Sequence, residues 1–377
     1  MLFKPLSLFL VYILTIFNFV ILTLPFLIAI FPFIDIQQNQ ISFAKYIVFN
    51  PKLALLILVF IVSFLMLCYL LLDFIFGLSF RAALKGCQRY DKIKDYEFLE
   101  EIFQEARAKF SCKSVKLYIK DDPEINAFAV GTLSKKAIVL TSGLILHYAR
   151  NTENNQQFAL AIKSILGHEM SHLINKDFLP GLLIITNQKV TNFVSRILML
   201  LFDIIIRINT CLGIHNKKIA NIILTIYNIA NAILTGFNRL IVYKIYEFIS
   251  NFLSRSIEYR CDRQSAKAFG GINMAFALSL LGKSGYFTLF STHPATIKRM
   301  KKVEIVEEKN AVIHPSFSSQ ISNCISILIL PLICYEAAHL SKIDFIIKYY
   351  FYFYYPEFYA QMFNIYSWFA KLIHNQL

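Results

Sequence analysis

Long charge-free runs alternate along this chain with stretches patterned for water. Pro5 to Ile34 contains no charged residue, and Leu53 to Leu72 is a second such run. A helix crosses a bilayer with about 20 apolar residues, so both runs are long enough to span. The first exceeds the roughly 7–15 residues of a signal-peptide core and reads as an uncleaved anchor. Phe178 to Ile206 is a third apolar region, interrupted by Asn187, Gln188 and Lys189 and carrying Arg196 and Asp203. Charges within a span face a protein interior or a wet cavity. This region reads as a span, with a short interfacial helix as the alternative. Ile219 to Phe237 is a cleaner fourth run. Further on, Ile321 to Ala337 has Pro331 inside, and Phe345 to Phe369 holds fourteen aromatic residues. Tyr and Trp favour membrane interfaces, so this tail is either a hairpin or a segment lying in the headgroup layer.

Two stretches are patterned for water, about 81–177 and about 250–315. Asp95 to Phe110 places Leu99, Ile102, Phe103, Ala106 and Phe110 on one helical face. Val115–Ile119, Ile125–Val130 and Ala137–Thr141 read as short strands, the first two separated by the turn-forming Asp121-Asp122-Pro123. Ser142-Gly143 begins a helix. Asn155 to Ile174 is predicted helical, with Phe158, Ala161, Ile162, Ile165, Leu166 and Met170 in phase. Asn251 to Phe269 is another helix, stopped by Gly270-Gly271.

Composition agrees with lipid as part of the solvent. Of 377 residues, 56% are hydrophobic and only 16% charged, against about 45–50% and about 25% in soluble chains. Disordered, collagen-like and coiled-coil classes are excluded. The net charge of +14 would suggest nucleic acid in a soluble protein; here basic loops beside anionic headgroups account for it, and no nucleic acid partner is expected. Arg81, Lys85, Arg89, Lys92 and Lys94 follow the second run. The loop between the first two runs has only Lys45 and Lys52 against Asp35. The positive-inside rule then puts the segment after Arg81 in the cytoplasm and that loop outside. The seven cysteines form no C-x-x-C pair, so neither a disulfide framework nor a cysteine zinc cluster is indicated.

The chemistry lies in His168-Glu169-Met170-Ser171-His172, an H-E-x-x-H on the predicted helix. Residues four apart share a helical face, so His168 and His172 can put imidazole nitrogens on one zinc ion. Glu169, beside that face, can reach a metal-bound water and take its proton as it attacks a carbonyl. The bland alternative is a surface His/Glu pair. A catalytic zinc usually has three protein ligands. Glu258 and Asp262 are again four apart on a helix. One can bind metal while the other accepts the free N–H of a ligating histidine; ordinary helix pairing with Arg255 and its basic neighbours is the alternative. His172 and Glu258 are 86 residues apart with two apolar stretches between them. They can share a metal only if both stretches cross the membrane or neither does.

Taken together these segments resemble the HtpX-like membrane zinc metalloproteases, relatives of the CAAX prenyl protease. Ile125-Asn126-Ala127-Phe128-Ala129 is similar to the family's N-A-F-A strand, and His168-Glu169-x-x-His172 to its zinc helix. Ser254-Arg255 to Asp262 looks like its S-R-x-x-E-Y-x-x-D helix, which implies Glu258 as third ligand of a gluzincin-type site. Ser291-Thr292-His293-Pro294 with Arg299 looks like its S-T-H-P-x-x-x-x-R element. Ile257 and Cys261 depart from the family's usual basic and small residues. The resemblance covers about residues 1–300, and the tail after about 305 inherits nothing from it.

The resemblance implies one Zn2+ per chain, held by His168, His172 and Glu258, with Glu169 as general base and Asp262 supporting a ligand. His293 is either an oxyanion donor or the shaper of a Pro turn, and Arg299 pairs with a carboxylate or orients that loop. Asn126, Ala127 and Phe128 would offer a strand edge to an extended substrate, or form a plain core strand. Cys261 reads as a buried free thiol and Tyr259 as packing. The expected architecture is an α/β, mainly α, zincin-like domain combined with about four transmembrane helices. Residues 1–80 carry two spans, 81–177 and 250–310 the catalytic domain, 178–249 a membrane hairpin, and 311–377 the aromatic tail. The expected activity is zinc-dependent hydrolysis of peptide bonds in polypeptides, plausibly in membrane protein quality control, at a bacterial-type inner membrane with the active site facing the cytoplasm. Alternatives are a non-catalytic transporter-like protein with an incidental H-E-x-x-H and a CAAX-type prenyl protease. A topology reporter fused after Lys94 should report a cytoplasmic location and one inserted after Gln38 an external location; the reverse pattern overturns the orientation.

Overall fold

The computed structural model describes residues 51–132, 134–179, 243–281, 295–309 and 311–354, with Ile13 and scattered positions in 182–236 and 356–360. The expected span over Pro5–Ile34 lies outside the described residues, as does much of Phe178–Ile206 and Ile219–Phe237. The chain begins its described course with α1, Pro51–Phe76, an apolar helix of 26 residues. It ends at Gly77, whose φ of 64° is open to glycine at no steric cost, and Asp73 Oδ1 accepts the Ser79 N–H at 2.6 Å across the turn. There follow α2 (Leu78–Ala83), β1 (Cys87–Arg89), α3 (Leu99–Lys109), β2 (Lys116–Lys120), β3 (Ala127–Gly131), β4 (Lys136–Thr141), α4 (Ser142–Arg150) and α5 (Asn155–Ile174). The second half is helical: α6 (Tyr243–Phe269), α7 (Gly271–Leu280), α8 (Thr296–Val303), α9 (Phe317–Leu340) and α10 (Ile343–Tyr354).

The sheet has the order β1-β2-β4-β3. β2 and β4 run parallel in register from Lys116–Ala137 to Lys120–Thr141. β3 and β4 form an antiparallel hairpin, which leaves β3 at the edge. Central β4 is buried over Ala137–Thr141, whereas β3 is half-buried throughout. The core joins Leu99, Phe103 and Phe110 of the α3 region to Leu117, Ile138 and Leu140 of the sheet, and to Ile162, Leu166 and Met170 of α5. Burying side chains of this size stabilises by about 1.5–3 kcal/mol each.

The three expected strands and the helix over Asn155–Ile174 are present, with shifts of one or two residues at strand ends. The helix expected from Asp95 starts instead at Leu99, because Lys94–Tyr96 closes a short 3-10 turn. β1, three residues long, carries no periodicity to read. α7 went unpredicted: its mostly apolar sequence has no one-sided pattern, and Met274, Ala275 and Leu278 pack into the core. The tail expected as hairpin or headgroup segment contains α9, a single 24-residue helix with Pro331 inside.

Among the described residues, two helices are long and apolar enough to cross a membrane, Val59–Phe76 within α1 and α9. They pack together through Val62 and Met66 against Leu330, joined by Val190. α5 and α6 make the other close helix pair. A Cβ on Gly167 would lie 2.8 Å from both the Phe269 ring and Ser265 Oγ, and Ser265 Oγ donates to Ser164 O at 2.6 Å. Phe269 is itself 3% exposed and cannot move aside cheaply. Gly167→Ala should therefore destabilise by about 1–3 kcal/mol through overpacking, outweighing alanine's better helix propensity of roughly 1 kcal/mol. A lowered unfolding midpoint checks this, and an unchanged or raised midpoint overturns it.

Candidate metal centre

α5 is started by Asn154, whose side chain accepts the Gln157 N–H at 2.9 Å. Its apolar positions turn one side to the core and carry His168, Glu169 and His172 with them. His168 is 6% exposed and Glu169 8%. α6 brings Glu258 and Asp262, 3% and 0% exposed, against this segment.

The donor atoms converge. His168 Nε2 and His172 Nε2 lie 3.2 Å apart. The Glu258 carboxylate oxygens stand 3.4 Å from the first and 3.5 Å from the second. All three groups offer an atom within 4.8 Å of one another. On the far side of each ring stands another carboxylate. Asp262 Oδ1 is 2.8 Å from His168 Nδ1, close but off the line of a hydrogen bond. Asp177 Oδ2 is 3.1 Å from His172 Nδ1. These carboxylates favour a proton on each Nδ1, which leaves both Nε2 atoms as lone-pair donors. Two lone pairs and a carboxylate aimed at one buried point repel each other unless a cation or protons lie between them. Two imidazoles and a carboxylate suit zinc with a fourth position open.

The charges around this point are balanced by burial and by each other. Burial alone lowers the pKa of His168, but Glu258 and Asp262 outweigh it and raise it to about 10. For His172 burial is likewise outweighed, by the Cys261 sulfur, Asp177 and Glu258, and the pKa lies well above the usual value. Asp262 is pushed up by burial, yet the hydrogen bonds from Arg299 and the imidazole of His168 beside it bring it below the usual carboxylate range.

Five residues singled out in the sequence meet here: His168, His172, Glu258, Asp262 and Arg299. Arg299, 6% exposed on α8, holds Asp262 with both arms at 2.7 Å and stands 3.3 Å from Glu258. Asn126, Ala127 and Phe128 do not join the cluster. They lie at the start of edge strand β3, which packs beside α5. His293 lies outside the described residues. Cys261 is fully buried, with its sulfur 3.5 Å from His172 Nδ1, and Tyr259 packs under Lys302 Nζ, 3.6 Å from the ring centre.

Sequence reasoning passed over Asp177 and Arg260. An acid five residues after the second histidine was the available signal for Asp177. Arg260 bonds Asp177 across the fold, and nothing local announces it. His172, Asp177 and Cys261 also stand within 4.8 Å of one another. The Arg260 guanidinium on Asp177 disfavours a second cation there.

Comparison with known proteins bears on this geometry directly. The profile of peptidase family M48 matches residues 94–307. The chain belongs to peptidase family M48. The matched span includes the H-E-x-x-H and the Glu258 helix, so the motif is not incidental in a transporter-like protein. A protease HtpX homolog of Neisseria meningitidis serogroup C / serotype 2a is 28% identical over 222 residues, 53% of this chain and 70% of the relative. Protease HtpX of Tolumonas auensis is 28% identical over 207 residues, 48% of this chain and 63% of that protein. The crystal structure of S. mikatae Ste24p matches with a TM-score of 0.40 at 19% identity, over 65% of this chain and 57% of that one. This M48 chain is an HtpX-like membrane protease, as its motifs implied.

In the M48 domain the Arg299–Asp262 pair is fully desolvated, and breaking a buried pair costs about 3–5 kcal/mol. Arg299→Met should lower stability by that order, and Arg299→Met with Asp262→Leu should cost less than the two single changes summed. Unfolding midpoints of the four proteins check the coupling, and additive costs would show that the pair is not coupled.

Proposed function

We propose that this chain is an integral membrane zinc endopeptidase that binds one Zn2+ through His168, His172 and Glu258. The observation that carries this reading is the buried convergence of two imidazole Nε2 atoms and a carboxylate, each ring backed by a further carboxylate. Zinc, when bound, supplies Lewis acidity that polarises a carbonyl and lowers the pKa of a water.

The protein's own residues do the rest. Asp262 and Asp177 hold the ligand rings in one tautomer and orientation. Glu169, next to His168 on the buried side of α5, accepts the proton of the attacking water and passes it to the leaving amine. The unpaired edge of β3, at Asn126, Ala127 and Phe128, receives the substrate backbone as an added strand. Arg299 keeps Asp262 ionised and in place. His293 serves as donor to the oxyanion on the strength of its S-T-H-P motif.

Polypeptides are the substrates, and we propose membrane proteins among them, cleaved on the cytoplasmic side of a bacterial-type inner membrane. The meeting of His172 and Glu258 requires that 178–249 cross the membrane twice or not at all, and we take the two crossings of a membrane hairpin. With the two runs before Arg81, that makes about four spans ahead of the tail. The catalytic domain then comprises 81–177 and 250–310.

A second reading, cleavage near a prenylated C-terminus, draws on an apolar cavity of about 470 Å³ lined by Leu67, Leu70, Leu71 and Phe74 of α1 and Ile327 and Leu330 of α9. Equal cleavage of prenylated and unprenylated peptides would remove it.

Purified in detergent, the wild type should contain one zinc per chain and cleave an unfolded membrane protein. Glu169→Gln should retain zinc and lose at least about 100-fold in rate, and His168→Ala should lose the metal. Undiminished proteolysis in Glu169→Gln sinks the mechanism.

A further inference from the structure

α9 is turned inside out. Ser319, Ser322, Asn323 and Ser326 are 5%, 5%, 6% and 3% exposed, whereas Phe317, Ile321, Ile325 and Leu328 are 71%, 42%, 40% and 53% exposed. Residues 319, 322, 323 and 326 follow the i, i+3, i+4, i+7 spacing of one helix face. A polar stripe thus faces protein and an apolar face looks outward, the arrangement of a helix whose surroundings are lipid. The M48 match ends at residue 307, so none of this stripe belongs to the family domain.

The stripe meets the two helices of the metal centre. Asn175, fully buried at the end of α5, accepts the Ser316 N–H at 3.0 Å and donates to Ser171 O at 2.8 Å. Asn323 Nδ2 donates to Asn175 O at 2.9 Å. Gln264 of α6 donates to His314 O at 3.1 Å. Arg260 is the link that reaches the site. Its Nη1 donates to Ser319 Oγ at 2.9 Å, and its Nη2 binds Asp177 Oδ2, the oxygen 3.1 Å from His172 Nδ1. A helix that only anchored the chain would pack by apolar contact and need no buried donors or acceptors. Burying such groups is costly unless each is matched; Ser319 and Asn323 are matched to the two metal-site helices, while Ser326 bonds back to Ser322 O within α9.

We infer that Ser319 is a positioning residue for the metal centre, holding Arg260 on Asp177 and so fixing the ring of His172. A guanidinium tethered at one arm only can rotate off its carboxylate; the Ser319 hydroxyl supplies the second tether. The C-terminal helix, outside the catalytic domain by sequence, completes the support of one zinc ligand. This inference rests on the zinc reading of the site.

The test measures zinc affinity by chelator competition, and the visible absorption of the cobalt-substituted protein, on the full chain in detergent. Asp177→Asn removes the direct partner of His172 and should weaken zinc binding by roughly 10–100-fold. Ser319→Ala should weaken it by about threefold to tenfold, less than loss of the direct partner, and shift the cobalt bands. Ser319→Thr, which keeps the hydroxyl, should restore both, and Leu328→Ala on the outward face should match the wild type. If Ser319→Ala fails to fold, Ser319→Cys preserves the volume with a weak acceptor and should show the same direction of change. Wild-type affinity and cobalt spectrum in Ser319→Ala, even at lowered thermal stability, overturn the inference and leave the helix an anchor. The same holds if Leu328→Ala loses as much affinity. A wild type that binds neither metal overturns the zinc reading and this inference with it.

Discussion

Everything at the metal centre depends on how closely α5 and α6 approach. Gly167 lets the Phe269 ring and the Ser265 hydroxyl come to where a side chain would otherwise stand. That contact is one residue before His168, so the helix axes are near each other at the level where the ligands project. One turn further along α5, Ser171 and Asn175 meet Gln264 of α6. The pair is thus fixed by a small-residue contact and a polar contact flanking the ligands. Neither helix could supply the donor set alone, since both imidazoles come from α5 and the Glu258 and Asp262 carboxylates from α6.

The close approach has an electrostatic consequence. Glu258, Asp262, Asp177, Arg260 and Arg299 are all brought into a region with little solvent. Taking such charges from water costs several kcal/mol each unless partners return it. Arg299 answers Asp262 and Glu258, Arg260 answers Asp177, and the histidines lie between. A set of charges this dense is a poor way to stabilise a fold and a good way to hold a cation in one geometry.

The sheet and the tail play different parts around this pair. β4 is buried between β2 and β3, and β3 pairs on one side only. In the first half of α9 Phe317, Ile321, Ile325 and Leu328 are exposed while Ser319, Ser322, Asn323 and Ser326 are buried.

Local signals in the sequence determined a good part of this protein. The 3.6-residue phase of Phe158 to Met170 and the turn chemistry around Asp122-Pro123 each depend on near neighbours, so α5 and three strands could be read. The i, i+4 pairs His168/His172 and Glu258/Asp262 could be read for the same reason, as could the apolar runs. Only the tertiary structure decided which atoms meet. Asp177 and Arg260 are 83 positions apart, and Arg260 and Ser319 are 59 apart. Such partners leave no periodic trace, because contact between them follows from helix packing rather than from spacing along the chain. For the same reason α7 and the inward stripe of α9 were hidden: a mostly apolar segment and a serine-dotted one acquire their meaning from what covers them.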